Sequence, residues 1–393
     1  MKLLVIPAFF AATLLAQDFK LPPPFATPSA RNNSKVVDRP AGAKLTVPPG
    51  FSVDEFITGI DRPRTMILGP SNELLITDSS FMGKGAVYVV PDPLHSPNPL
   101  HDKNKRKLIE GLSAPFGLAF WKDYLYVGEP TSIKRYKYDA KAMTAGAGEE
   151  VVSLKDFGSG HNTRNLLFDR KGEKMYVEVG SQSNVNAGED PLRAAVNRYN
   201  PDGSGHEVFV SGTRNPTGIH LYPGSDTIWI TVEERDELGD DLVPEYFTHI
   251  EQGRFYGWPY AYLGPNEDPR RKGERPDLVA KTTRPDVLLP AHSSATGFTF
   301  YSGKMFPAEY QGGAFIALHG SWNRALRQGY EIRFVPFKNG KPAGEAKSFL
   351  TGWMIAPDKA EVWGRPVSAL ELPDGSLLVS DDGGHKIWRV TYK

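Results

Sequence analysis

The chain has 393 residues, 46 Lys and Arg balanced by 46 Asp and Glu, and no cysteine. With no net charge and no basic run longer than Lys103-Asn104-Lys105-Arg106-Lys107, it argues against a nucleic-acid partner, and the missing cysteines exclude disulfide staples, thiol chemistry and a Cys-attached haem. The 39 Gly and 33 Pro, set against 40% hydrophobic residues, describe a turn-rich chain with ample core material.

Met1-Lys2, the apolar run from Leu3 to Leu15 and the small Ala16 have the pattern of a secretory signal. They predict a signal peptide over 1–16 and a periplasmic or secreted location. The run is too short to span a membrane, and Pro7 and Leu21-Pro22-Pro23-Pro24 oppose the alternative of a buried N-terminal strand. Residues 17–48, rich in Pro, Ser, Asn and Ala, read as an extended lead-in.

From there one unit recurs: a turn, an often Pro-led apolar alternation, a polar break, and a second apolar run ending in a small or acidic residue. It runs from Arg62-Pro63 to Thr77-Asp78, from Ala114-Pro115 to Val127-Gly128, and from His161 to Val179-Gly180. It returns from Asn215-Pro216 to Ile230-Thr231, from Ala295-Thr296-Gly297 to Ala317-Leu318, and from Arg365-Pro366 to Ser380-Asp381. Six copies spaced by about fifty residues or somewhat more predict an all-β, six-bladed β-propeller over 49–393, each blade being four short strands. The basic run at 103–107 reads as a solvated loop between blades, and the Pro- and charge-dense 264–286 as a long surface loop between blades four and five.

In a propeller, chemistry gathers where the strand mouths surround the axis. His161 stands just ahead of a strand, where a neutral imidazole can take a proton from a substrate hydroxyl; the alternative is a satisfied structural histidine. Arg214, Arg365 and Arg324 stand at or near the equivalent edges of blades four, six and five. Three guanidinium forks on one cavity suit a ligand with several carboxylates or phosphates, and an ion pair at a blade seam is the alternative for each. Glu233-Glu234-Arg235-Asp236-Glu237-Leu238-Gly239-Asp240-Asp241 puts six carboxylates in nine residues, hard oxygen ligands suited to calcium or simply a solvated acidic loop.

Several separated motifs then occur in one order: Gly160-His161-Asn162-Thr163-Arg164, Val179-Gly180-Ser181-Gln182-Ser183-Asn184, Gly212-Thr213-Arg214-Asn215-Pro216-Thr217-Gly218, the acidic cluster, Phe255-Tyr256-Gly257-Trp258-Pro259-Tyr260, His319-Gly320-Ser321-Trp322-Asn323-Arg324, and Trp363-Gly364-Arg365-Pro366. Together, over roughly 50–393, they resemble the glucose/sorbosone dehydrogenase family of soluble quinoprotein sugar dehydrogenases. The resemblance implies bound pyrroloquinoline quinone and calcium, oxidation of the hemiacetal or aldehyde carbon of an aldose or sorbosone-like sugar, and an external electron acceptor, a quinone or a cytochrome.

It gives His161 the role of base and Arg214 that of the charge beside the quinone oxygens. It places Asn215, Thr217, Arg324, Arg365 and Gln182 against the cofactor, while the density of the acidic cluster puts Glu233, Glu234, Asp236 and Asp240 on the metal. Thr217 stands where the glucose enzymes have Gln, Glu234-Arg235-Asp236 where they have Gly-Pro, and Arg324 where they have Lys, which fits the sorbosone-type branch better. A saccharide-binding propeller without redox turnover, and a calcium-dependent hydrolase of the lactonase kind, are the alternatives.

Overall fold

The computed structural model describes residues 19–94 and 104–393; the signal-peptide segment lies outside the described residues. Six four-stranded antiparallel sheets surround one axis. Their innermost strands are Pro63–Leu68, Leu118–Trp121, Leu166–Phe168, Asn215–Leu221, Ala295–Phe300 and Pro366–Glu371, each touching the next around the ring. The six sequence units therefore coincide with six blades.

The second run of each unit is the blade's second strand: Leu74–Asp78, Tyr124–Glu129, Met175–Val179, Ile228–Glu233, Ala314–Leu318 and Leu377–Asp381. Nearly every residue in these strands is buried. Both faces of such a strand are covered by neighbouring blades, so it reads as a continuous apolar run and not as an alternation. The hydrophobic clusters accordingly sit in the seams; one joins Tyr301, Phe315 and Trp353 to Trp363 and Trp388 across blades five and six.

Closure uses a strand that the repeat pattern does not mark. Phe51–Thr58 pairs antiparallel with the C-terminal strand Lys386–Tyr392, Phe51 opposite Tyr392 and Thr58 opposite Lys386. The last blade thus joins both ends of the ring, with Phe51–Thr58 as its outermost strand. Phe51 anchors it edge-on against Phe306, Tyr310, Phe349 and Tyr392.

Two loop assignments are corrected. Arg106–Leu112 is not a loop but the outer strand of blade one, with Arg106 and Lys107 exposed opposite Val89 and Tyr88. An outermost strand has water on one side and tolerates such charges. Residues 264–286 do not link blades four and five; they lie within blade four, between its third strand Glu245–Ile250 and its short fourth strand Val287–Leu289. The whole insertion 251–286 between those strands holds a short hairpin, Ala261–Tyr262 with Asn266–Glu267, and a helix, Pro276–Lys281. Among the described residues no helix is long and apolar enough to cross a membrane.

Candidate active site

In every blade the second strand ends, and the inner strand begins, at the same end of the ring. The segments there enclose a cavity of about 370 Å³ lined by His161, Gln182, Asn184, Arg214, Glu233, Glu234, Asp236, Glu245, His292, Ser294, Trp322 and Arg365, among others.

His161 is fixed from two sides. Fully buried Arg164 donates to the carbonyls of His161 and Thr163 at 2.9 and 2.7 Å, and to that of Phe157 at 2.6 Å, which sets the backbone. The imidazole Nδ1 lies 2.8 Å from the Ser181 carbonyl and 3.0 Å from Ser181 Oγ. A carbonyl only accepts, and the one Ser181 hydroxyl proton goes to Ser183 O at 2.7 Å, so Nδ1 carries the hydrogen and Nε2 keeps its lone pair. No side chain fits at Gly180, where a Cβ would stand 2.2 Å from Asn215 Oδ1 and 2.6 Å from His161 Cβ. Burial, and then the Arg214 charge, push the His161 pKa down to about 3, against the opposing pull of the Ser181 bond and Asp236. The ring is therefore expected to be neutral at pH 5 and to protonate only on further acidification toward pH 3. Its ¹⁵N shifts in the folded protein check this, and an imidazolium pattern at pH 5 would contradict it.

Arg214 is nearly buried and held with φ of 22°. Its Nη2 meets Asp236 Oδ2 at 3.0 Å and Asn184 Oδ1 at 3.1 Å, and its Nε meets Asn184 O at 3.3 Å. Asn184 ties the blade-three loop to this arginine and also accepts from Asp236 N. His292 and Ser294 line the same cavity with φ of 59° and 55°. Non-glycine residues in this region cost about 1–3 kcal/mol each, so these three cavity residues are held at a cost by the structure around them. Arg365 donates to the carbonyls of His319 and Gly320, which leaves Nη1 for the cavity, and its backbone N–H is fixed by Asp381 at 2.6 Å.

The acidic wall is built from differently held carboxylates. Glu233 accepts from Asn215 Nδ2 at 2.6 Å and from the Ser294 hydroxyl, and burial raises its pKa. Glu245, buried beside Glu233, is pushed well above the usual carboxylate range by burial and that like charge. For Asp236, burial works upward, but the facing His292 ring and the Arg214 charge outweigh it and hold the carboxyl low. His292 Nδ1 faces Asp236 Oδ1 at 3.4 Å, and Nε2 reaches Gly239 O at 2.9 Å. Glu234 Oε2 is pinned at 3.0 Å by Arg235 Nε, and Arg235 Nη1 reaches Asp268 of the insertion at 3.1 Å, all three side chains being fully buried. Glu234 Oε1 has no protein partner.

The residues expected from sequence separate into two groups. His161, Arg214, Arg365, Gln182, Glu233, Glu234 and Asp236 line the cavity. Asn215 stands behind Glu233. Thr217 turns its hydroxyl to Ala295 O at 2.6 Å in the seam. Arg324 is spent on Asp241 at 3.1 Å and on the Asp240 carbonyl, and Asp240 accepts from Ala325 N. Two guanidinium forks therefore converge instead of three, and the expected metal set does not form a ligand shell. Among the described residues no three His, Cys, Asp or Glu side chains are gathered closely enough to hold a metal ion. His292, Ser294 and Glu245 were missed. His292 and Ser294 directly precede the inner strand of blade five, the position that marked His161 and Arg214.

The family signature of TrAA12-like proteins matches residues 45–245 and 270–393. The chain belongs to the TrAA12-like family. An uncharacterized protein of Borreliella burgdorferi is 29% identical over 368 residues, covering 89% of this chain and 91% of that protein. The aldose sugar dehydrogenase YliI of Escherichia coli is 27% identical over 222 residues, 48% of this chain and 54% of that protein. The holo pyranose dehydrogenase PQQ domain of Coprinopsis cinerea superposes with a TM-score of 0.74 at 20% identity, covering 89% of this chain and 97% of that one. The resemblance to quinoprotein sugar dehydrogenases drawn from the separated motifs is borne out.

Proposed function

We propose that this protein is a quinoprotein sugar dehydrogenase that uses pyrroloquinoline quinone to oxidise the hemiacetal or aldehyde carbon of an aldose or sorbosone-like sugar. The observation that carries the reading is His161: a neutral imidazole with its lone pair at Nε2, in one cavity with the guanidinium groups of Arg214 and Arg365. The names of the E. coli and C. cinerea proteins support it.

The cavity fits a flat polyanion. Arg214, Arg365 Nη1 and the Gln182 amide offer donors to carboxylates and quinone oxygens. When bound, pyrroloquinoline quinone supplies a two-electron acceptor for hydride. His161 Nε2 takes the hydroxyl proton of the sugar as the C–H bond is given up, and the Nδ1–H bond to Ser181 holds the ring while it is cationic. Arg214, fixed by Asp236 and Asn184, places a preorganised positive charge where negative charge develops. Calcium, which the resemblance implies, receives no site here: Glu233 and Asp236 are engaged by Asn215, Ser294 and Arg214, and among the described residues the carboxylates of the cavity do not form a ligand shell.

Electrons would then leave to an external quinone or cytochrome, outside the cytoplasm once the signal segment is cleaved; a mature N-terminus at Gln17 on exported protein would support that location. Arg214→Ala is expected to weaken quinone binding and to lower turnover by about 10²–10³-fold, since it removes both a ligand charge and a transition-state charge. Binding and steady-state assays on the variant check this, and unchanged values in both would remove Arg214 from the site. Lactone cleavage without added quinone would favour the hydrolase reading. Saccharide binding with no quinone-dependent dye reduction would favour the non-redox one.

A further inference from the structure

The lead-in does not simply precede blade one; it crosses the cavity-bearing end of the ring and is bonded there to blades four, five and six. Phe25 N donates to Leu238 O at 2.7 Å, and Thr27 Oγ1 accepts from Asp240 N at 2.7 Å. Ala30 O accepts from Asn323 Nδ2 at 2.9 Å, and Lys35–Val36 pairs in parallel with Glu361–Val362.

The densest contact is at Asn32. Its backbone N–H donates to Trp322 O at 2.7 Å, and its Nδ2 donates to Ala325 O at 2.8 Å and to Arg324 O at 3.3 Å. Its own carbonyl and Oδ1 accept from Arg327 at 2.8 and 2.6 Å. Arg327 is buried and also donates to Asn33 O and Lys359 O, so its planar fork is used completely. The segment so held carries Trp322, whose ring lines the cavity, is 41% exposed and has no aromatic neighbour among the described residues.

We infer that Asn32 and Arg327 form a clamp by which the lead-in positions Trp322 as the aromatic wall for the sugar ring at the cavity mouth. The role of the sugar rests on the dehydrogenase reading; the clamp does not. An indole presents a rigid apolar face to the C–H groups of a pyranose, and it can select among sugars only if its backbone is held. The segment 319–330 leaves and re-enters blade five, and the lead-in is what bridges its tip. Asn32 and Arg327 are positioning residues, since neither lines the cavity.

The test uses the full mature chain labelled with 5-fluorotryptophan, the Trp322 signal among the seven tryptophans being assigned with Trp322→Phe. In Asn32→Ala and Arg327→Lys the Trp322 ¹⁹F resonance is expected to shift or broaden while the other six stay in place, which separates loss of the clamp from a general loss of folding. KM for an aldose is expected to rise about 5–50-fold with kcat and quinone affinity little changed, the pattern of lost ground-state positioning. Asn32→Asp keeps the acceptor for Arg327 and is expected to fall between. An unchanged Trp322 resonance in both variants would overturn the clamp whether or not the protein oxidises sugars. A moved resonance with unchanged KM would overturn the assignment of Trp322 to the sugar. If the parent protein turns over no sugar at all, the dehydrogenase reading fails while the resonance still decides the clamp.

Discussion

Replacing His161 by alanine is expected to lower sugar-dependent dye reduction by about 10²–10⁴-fold, the usual contribution of a positioned general base, with quinone affinity changed no more than a few-fold. Binding survives because the ring is neutral in the folded protein and contributes no charge to a polyanionic ligand, unlike Arg214 beside it. The loss should appear in kcat and kcat/KM together, since the proton is taken only as the C–H bond breaks. Ser181→Ala is the milder companion. It removes the Oγ contact at 3.0 Å but leaves the Ser181 carbonyl at 2.8 Å to hold the same tautomer, so a loss well below that of His161→Ala is expected. Stopped-flow reduction and equilibrium quinone binding on the two variants separate these effects, and near-parental turnover in His161→Ala would remove the base role.

Arg235→Ala is expected to be the most damaging change to stability, about 3–5 kcal/mol. Glu234 would be left as a buried carboxylate without its cation, Asp268 would keep only Arg270, and the Pro259 and Ala261 carbonyls would lose their shared donor. Taking one partner from a buried ion pair strands the other. Replacing Arg235, Glu234 and Asp268 together with apolar residues of similar volume should recover much of the loss. Arg254→Ala breaks an ion pair with Glu251 in which both side chains are more than half exposed, and should have little measurable effect. Urea unfolding of the three proteins tests the contrast; equal midpoints for Arg235→Ala and Arg254→Ala would contradict it. Because Arg235 pins the Glu234 carboxylate that lines the cavity, Arg235→Ala should also lower quinone affinity, which links the insertion of blade four to the site.

The parts of the fold legible in the sequence are those covered on both sides. Leu74–Asp78, Met175–Val179 and their counterparts are continuous apolar runs because neighbouring blades bury both faces, and they reveal the sixfold repeat directly. The outer strands carry no such signal. Arg106–Leu112 begins with exposed charges and reads as loop, and Val287–Leu289 is three residues long, so the insertion before it was assigned to the gap between blades. Phe51–Thr58 closes the ring with the far end of the chain, a pairing no local pattern encodes.

The site follows the same division. His161, Arg214 and Arg365 precede inner strands, so their convergence follows from the repeat. Arg324 lies mid-loop, in a segment whose path depends on the lead-in 293 residues earlier in the chain, and its side chain turns to Asp241. The position of Asp240 depends likewise on Thr27 and Ala325. Neither contact is visible in a local motif.

The most direct test is a titration of the mature protein with pyrroloquinoline quinone, with and without calcium, following cofactor absorbance and then dye reduction with a panel of aldoses and sorbosone. Saturable one-to-one binding that is weakened by Arg214→Ala, together with sugar-dependent dye reduction that is lost in His161→Ala, is the result predicted here. Failure to bind the quinone at any calcium concentration, or binding with no reduction by any sugar, would contradict it.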